Sequence, residues 1–106
     1  FFDNQRFFEF VDNCRKIGID VPIIPGIKPL STLNDIKMLP QTFAIDLPHD
    51  LMKEASKCKT SKDVRQIGIE WCTMQSKELK AAGVPGIHYY TLSQSDNIAR
   101  IASLVF

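Results

Sequence analysis

The chain carries none of the short signatures that mark common catalytic sites. Neither G-x-G-x-x-G nor G-x-x-x-x-G-K-[ST] occurs, which excludes a dinucleotide or nucleotide phosphate cradle of the usual kind from this segment. H-E-x-x-H and G-x-S-x-G are also missing, which removes the zinc-peptidase helix and the hydrolase nucleophile turn. There are three cysteines, Cys14, Cys58 and Cys72. Their number is odd, their spacing is wide and no C-x-x-C occurs, so no structural zinc or other metal site is expected. Small buried thiols in a reducing, cytoplasmic setting are expected instead. No apolar run reaches a membrane-spanning length. An excess of one charge is lacking too: the net charge is +1, which leaves no electrostatic case for nucleic acid or an anionic membrane. The opening Phe1-Phe2-Asp3 has no basic region, no cleavage site and no methionine. It is therefore not expected to be a signal peptide. The chain is expected to be a piece of something longer, beginning inside a strand.

What is present is ordinary in bulk and specific in order. A length of 106 residues, 44% apolar and 24% charged, suits one globular domain with one modest core. The stretch Val21-Pro22-Ile23-Ile24-Pro25-Gly26-Ile27-Lys28-Pro29 organises the rest. A short β-branched apolar run between breakers reads as a buried parallel strand, here over 19–24. Before it, Phe7, Phe10, Val11, Cys14 and Ile17 form a helical stripe over 5–17. Asp3 or Asn4 can cap that helix, and Gly18 can end it. After it, Ser31 or Thr32 can cap a short helix through Leu33, Ile36 and Leu39, stopped by Pro40. Phe43 and Ile45 are expected to face inward. Asp46 can cap a further short helix with Pro48 in its first turn. Thr60 or Ser61 opens the longest helix, with Asp63 at the capping-box position. Val64, Ile67, Trp71, Met74 and Leu79 are its expected stripe, and Gly83 its end. A second strand follows over 87–92, then a last helix capped by Ser93 or Ser95, with Ile98, Ile101, Ala102 and Val105 on one side. Alternating strands and helices predict parallel strands with helical crossovers, an α/β fold. Two strands do not close a sheet, so a barrel or a doubly wound sheet is the expected whole. In either, the loops at the carboxyl ends of the strands carry the chemistry.

At the two strand ends the chain resembles the methylenetetrahydrofolate reductase family, in the last third of its catalytic barrel. Phe1-Phe2-Asp3 resembles the end of the sixth strand. Cys14-Arg15 and Gly18-Ile19 resemble the next helix and its terminator. Pro22-Ile23-Ile24-Pro25-Gly26-Ile27, then Pro29, is similar to the seventh strand, and Ile67-Gly68-Ile69-Glu70 to the helix before the last strand. Gly83-Val84-Pro85-Gly86-Ile87-His88-Tyr89-Tyr90-Thr91-Leu92 is similar to the eighth strand. Each motif alone is weak; their order and spacing together are specific. The resemblance implies a (β/α)8 TIM barrel, of which residues 1–106 are the C-terminal units from the end of strand six to helix eight. It implies an FAD enzyme that reduces 5,10-methylenetetrahydrofolate to 5-methyltetrahydrofolate, with NADH or NADPH as hydride donor. The full-length parent is expected to be a cytoplasmic homo-oligomer, and the segment alone inactive. Its general acid and most flavin contacts would lie upstream, so no catalytic residue is expected here.

Carried over by position, Tyr90 matches a tyrosine at the substrate site. Gln94 falls where many members have arginine, and Ser93 where they have asparagine. Asp35 falls where some bacterial members have a folate-contacting glutamine, and Leu39 where those have a stacking phenylalanine. Lys28, in the loop after the seventh strand, reads as a solvated surface lysine or as a contact to a carboxylate or phosphate. Against these stand plainer readings. Asp35 near a helix start can simply complement the dipole. Pro25-Gly26 can be only a strand terminator. His88 reads as a hydrogen-bonded core histidine, His49 as solvated, and Trp71 as helix packing. Strand alternation puts His88, Tyr90 and Leu92 on one face, Tyr89 and Thr91 on the other. The rivals are another TIM-barrel enzyme and a non-catalytic α/β binding module. The second should show an acidic pocket or a phosphate loop, and the chain has neither.

Overall fold

Helix formation begins where the sequence supplies a side-chain cap. In the computed structural model, which describes residues 1–32, 35, 48–90 and 96–106, Asp3 accepts a hydrogen bond from the Gln5 N–H at 3.0 Å and opens α1, Asn4–Lys16. Gly18 ends it with φ of 91°, the left-handed position that glycine takes without a Cβ clash. The described elements then run β1 (Gly26–Ile27), α2 (His49–Ser56), α3 (Ser61–Ala81), β2 (His88–Tyr89) and α4 (Asp96–Val105). Thr60 caps α3 in a full capping box with Asp63, and Gly83, φ 81°, follows its end. Pro48 stands just before α2 as its cap residue, without a side-chain hydrogen bond, rather than inside the first turn. The expected contributions of Leu33, Ile36, Leu39, Phe43, Ile45, Asp46, Ser93 and Ser95 lie outside the described residues.

The strands are parallel, with Gly26 opposite His88 and Ile27 opposite Tyr89. The His88 N–H donates to the Pro25 carbonyl and the Tyr90 N–H to the Ile27 carbonyl, each at 2.9 Å. The expected strand over 19–24 is not formed. Pairing needs a neighbour, and the β2 ladder reaches only the carbonyls of Pro25 and Ile27. Pro22 and Pro25 have no N–H to give. Farther back, Arg15 Nη1 donates to the carbonyls of Ile19 and Val21 at 2.8 Å each, using acceptors a strand would need. Val21 and Ile24 are 59% and 58% exposed, so the buried-strand reading of this run is corrected. Residues 1–3 are not a strand end either. Side chains of α3 take their carbonyls instead: Trp71 Nε1 donates to Phe2 and Gln75 Nε2 to Phe1, at 2.8 and 3.1 Å.

Helix α3 is the centre, packed against α1, α2 and α4. Ile27, Ile69, Cys72, Leu79, Ile101, Val105 and Phe7 form one core, and Phe2, Leu30, Leu51 and Val64 a second beside it. Each large apolar side chain fully buried here stabilises by roughly 1.5–3 kcal/mol. The stripes are partly redrawn. Met74, Phe10 and Ile17 are exposed, while Gly68, Cys72, Gln75 and Ser76 are buried. The last helix keeps its expected face, with Ile101 and Val105 buried. At Gly68 the helix meets bare backbone: an added Cβ would fall on the Leu30 carbonyl oxygen and lie 2.8 Å from its carbon. That contact sets the loop after β1 directly on α3. Among the described residues, no helix is long and apolar enough to cross a membrane.

Candidate functional site

The carboxyl end of β1 runs into Lys28-Pro29-Leu30-Ser31-Thr32, and this loop is anchored at both sides. Leu30 is 1% exposed and plugs the second core. Beyond it, Asp35 Oδ2 accepts hydrogen bonds from the Ser31 N–H, the Ser31 hydroxyl and the Thr32 N–H, at 2.9, 3.1 and 3.1 Å. The Asp35 N–H returns one to Thr32 Oγ1 at 3.2 Å. This is the reciprocal geometry of a capping box, the same Thr-x-x-Asp device as Thr60 and Asp63. Lys28 Nζ stands 3.7 Å from the same Asp35 oxygen. Burial pushes the Asp35 carboxyl up. The Ser31 N–H, the Lys28 charge, the Thr32 N–H and the Ser31 hydroxyl outweigh it, and the group rests below the usual carboxylate range. Asp35 therefore stays ionised at neutral pH and holds the lysine at the strand end. Beneath this loop, between Leu30, Leu51, Gly68 and Trp71, the packing leaves no water-sized space. Any ligand would meet the loop from its open side.

The carboxyl end of β2 carries Tyr90, which is 50% exposed. Its ring lies over Gly26 of the neighbouring strand. His88 meets the same ring edge-on, with centroids 4.6 Å apart at 73°. The expected alternation holds: His88 and Tyr90 share one face, while Tyr89 turns to α3 and donates its hydroxyl hydrogen to Ser76 Oγ at 2.7 Å. His88 is exposed, so its reading as a buried core histidine is corrected. The face it shares with Tyr90 points away from the helix that covers Tyr89. On the covered side, burial pushes the Tyr89 hydroxyl up, against the Ser76 hydrogen bond. Burial drives the Cys72 thiol up to about 12. Both stay protonated and inert there. Cys14 and Cys58 are half-buried, and none of the three cysteines is bridged.

The sequence candidates thus fall into two groups at adjoining strand ends. Lys28 and Asp35 are brought together as an ion pair, and Tyr90 stands with His88 over Gly26. Leu39 and Gln94 lie outside the described residues. Among the described residues, no cluster of His, Cys, Asp and Glu could hold a metal ion. Sequence reasoning missed the joint placement of Gly26 and Tyr90. No sequence signal marked it, since the expected strand ended at Ile24 and Gly26 read as its terminator.

Parallel strands joined through helices, with polar and aromatic residues at their carboxyl ends, make the chain an α/β protein. The family model for methylenetetrahydrofolate reductase matches residues 1–105. A probable methylenetetrahydrofolate reductase (NADPH) of Caenorhabditis elegans is 34% identical over 103 residues, 95% of this chain and 16% of the relative. Methylenetetrahydrofolate reductase (NADH) 1 of Arabidopsis thaliana is 33% identical over 94 residues, 88% of this chain and 16% of the relative. The 5,10-methylenetetrahydrofolate reductase of Escherichia coli (strain K12) is 30% identical over 97 residues, 91% of this chain and 33% of the relative. The chain belongs to the methylenetetrahydrofolate reductase family, and it spans between 16% and 33% of the length of these relatives.

Proposed function

We infer that residues 1–106 are the C-terminal segment of the catalytic TIM barrel of a methylenetetrahydrofolate reductase. The parent reduces 5,10-methylenetetrahydrofolate to 5-methyltetrahydrofolate, with NADH or NADPH giving the hydride. The observation that carries this reading is the family match along the whole chain, together with a parallel strand pair whose carboxyl ends bear Lys28, Asp35 and Tyr90. In this reading the segment forms one wall of the folate side. The Tyr90 hydroxyl hydrogen-bonds the substrate from the open face of β2. Lys28, held by Asp35, offers its charge to a carboxylate of the folate tail. Gln94 offers neutral amide donors in the loop after β2, and Leu39 an apolar contact from the loop side. The parent works in the cytoplasm as a homo-oligomer.

FAD is the cofactor that the resemblance implies. Among the described residues, Gly26, His88 and Tyr90 share the open face of the strand pair, a small aromatic surface rather than a phosphate cradle. In this reading the segment contributes substrate contact, and the cofactor's principal contacts lie on earlier strands of the parent's barrel. The test is a steady-state assay of the full protein with 5,10-methylenetetrahydrofolate and either nicotinamide nucleotide. Substrate-dependent oxidation of NADH or NADPH is expected. A well-folded protein that oxidises neither in the presence of the folate would sink the reading.

A further inference from the structure

We propose that Gly26 is a positioning residue for Tyr90: its missing side chain is the seat that fixes where the Tyr90 ring and hydroxyl stand at the strand ends. The inference rests on the reading of Tyr90 as a substrate contact. Gly26 lies opposite His88 in the parallel pair, and Tyr90 is the next residue on the face that His88 occupies. A glycine leaves a gap in the row of side chains on a strand, and a diagonal aromatic neighbour is long enough to cover it. A Cβ placed on Gly26 would stand 2.8 Å from Tyr90 Cε2, 3.0 Å from its hydroxyl oxygen and 3.2 Å from Cζ. These three nearest atoms all belong to the one tyrosine side chain. His88 meets that ring edge-on, so glycine backbone and imidazole together define its place.

Backbone conformation does not explain this glycine. The positive-φ glycines are Gly18 and Gly83, and Gly26 is not among them. Space is what remains. The colliding atoms belong to a half-exposed side chain that can swing outward, so an alanine at 26 displaces Tyr90 and leaves the strand standing. The strand pair then survives with its tyrosine in the wrong place.

The test uses the full protein that carries residues 1–106, as wild type, Gly26→Ala, Tyr90→Ala and the double variant. For each, kcat/KM is measured for 5,10-methylenetetrahydrofolate and for the nicotinamide donor. Gly26→Ala is expected to lower the folate value roughly two- to tenfold, the range of one lost hydrogen bond, and to leave the nicotinamide value unchanged. The double variant is expected to be no worse than Tyr90→Ala alone, because both changes remove the same placed ring. If Tyr90→Ala impairs folate use and Gly26→Ala does not, this inference is overturned and the Tyr90 reading stands. Equal loss for both substrates, or effects that multiply in the double variant, also overturns it, since either marks a general or independent role. If Tyr90→Ala changes nothing, the Tyr90 reading fails and this inference falls with it.

Discussion

One carboxylate oxygen of Asp35 ties the loop after β1 together. Its Oδ2 gathers the Ser31 and Thr32 donors and faces Lys28. Because its folded-state pKa is depressed, the stability it contributes is fully present above the unfolded value near 3.9. That stability is lost as pH falls through the lower folded value. Asp35→Asn should therefore destabilise the full protein at neutral pH by about 0.5–2 kcal/mol, the range for a lost cap. The gap from wild type should shrink below about pH 4, where the carboxyl of the wild type also begins to lose its charge. Denaturant unfolding at the two pH values checks this, and a gap that is constant with pH would rule out the charge as the cause. Tyr90→Phe keeps the ring over Gly26 and removes only the hydroxyl. It should lower kcat/KM for the folate by up to about tenfold and spare the nicotinamide donor; equal loss for both would indicate packing. In the proposed reading, Gln94 offers a neutral amide where the family resemblance implies an arginine. Gln94→Arg should tighten folate binding and steepen its salt dependence, since charge-assisted bonds are roughly twice as strong as neutral ones. Titration at low and high salt decides, and an unchanged slope would remove Gln94 from the folate site.

Among the elements, α3 decides where the site loop sits. Alanine in place of a helical glycine ordinarily stabilises by about 1 kcal/mol. Gly68→Ala should do the opposite, because its Cβ would meet Leu30 backbone rather than a side chain that can turn aside. Overpacking of this kind costs roughly 1–3 kcal/mol, so a lowered melting temperature of the full protein is expected, and an unchanged or raised one would mean that the loop does not rest on the helix. Helices were the legible part of this sequence, since caps and terminators act locally. Asp3, Thr60 with Asp63, Gly18 and Gly83 do what their positions announced. Strand bounds were not legible, because a strand exists only where a partner stands: the β-branched run of Val21 and Ile24 has the right composition and lies exposed. The Thr32–Asp35 box was half legible; Thr32 was a candidate cap and Asp35 a dipole partner, and the reciprocal bonds join the two. The seat of Tyr90 on Gly26 was hidden, since it depends on the register between segments 62 residues apart, from 26 to 88.

At the scale of the molecule, the described surface carries apolar side chains that a self-sufficient domain would cover. Phe10, Ile17, Val21 and Ile24 are 57%, 76%, 59% and 58% exposed, and the described sheet has only two strands. A strand pair with unpaired edges invites association, and two strands alone are marginal in water. A real core is present, with Ile27, Leu51, Leu79 and Ile101 fully buried, so collapse is not in question; in the proposed reading, other parts of the parent cover the face that Tyr90 and His88 leave open. The 106-residue chain expressed alone should therefore self-associate and melt broadly. It should also emerge colourless from gel filtration after incubation with FAD, because in the proposed reading the flavin's principal contacts lie on other strands of the parent. Light scattering, thermal circular dichroism and the absorbance of the eluted peak test this together. A monodisperse monomer with one sharp transition would show that the open face needs no further cover. A yellow peak with a bound-flavin spectrum would show that this segment seats the cofactor by itself.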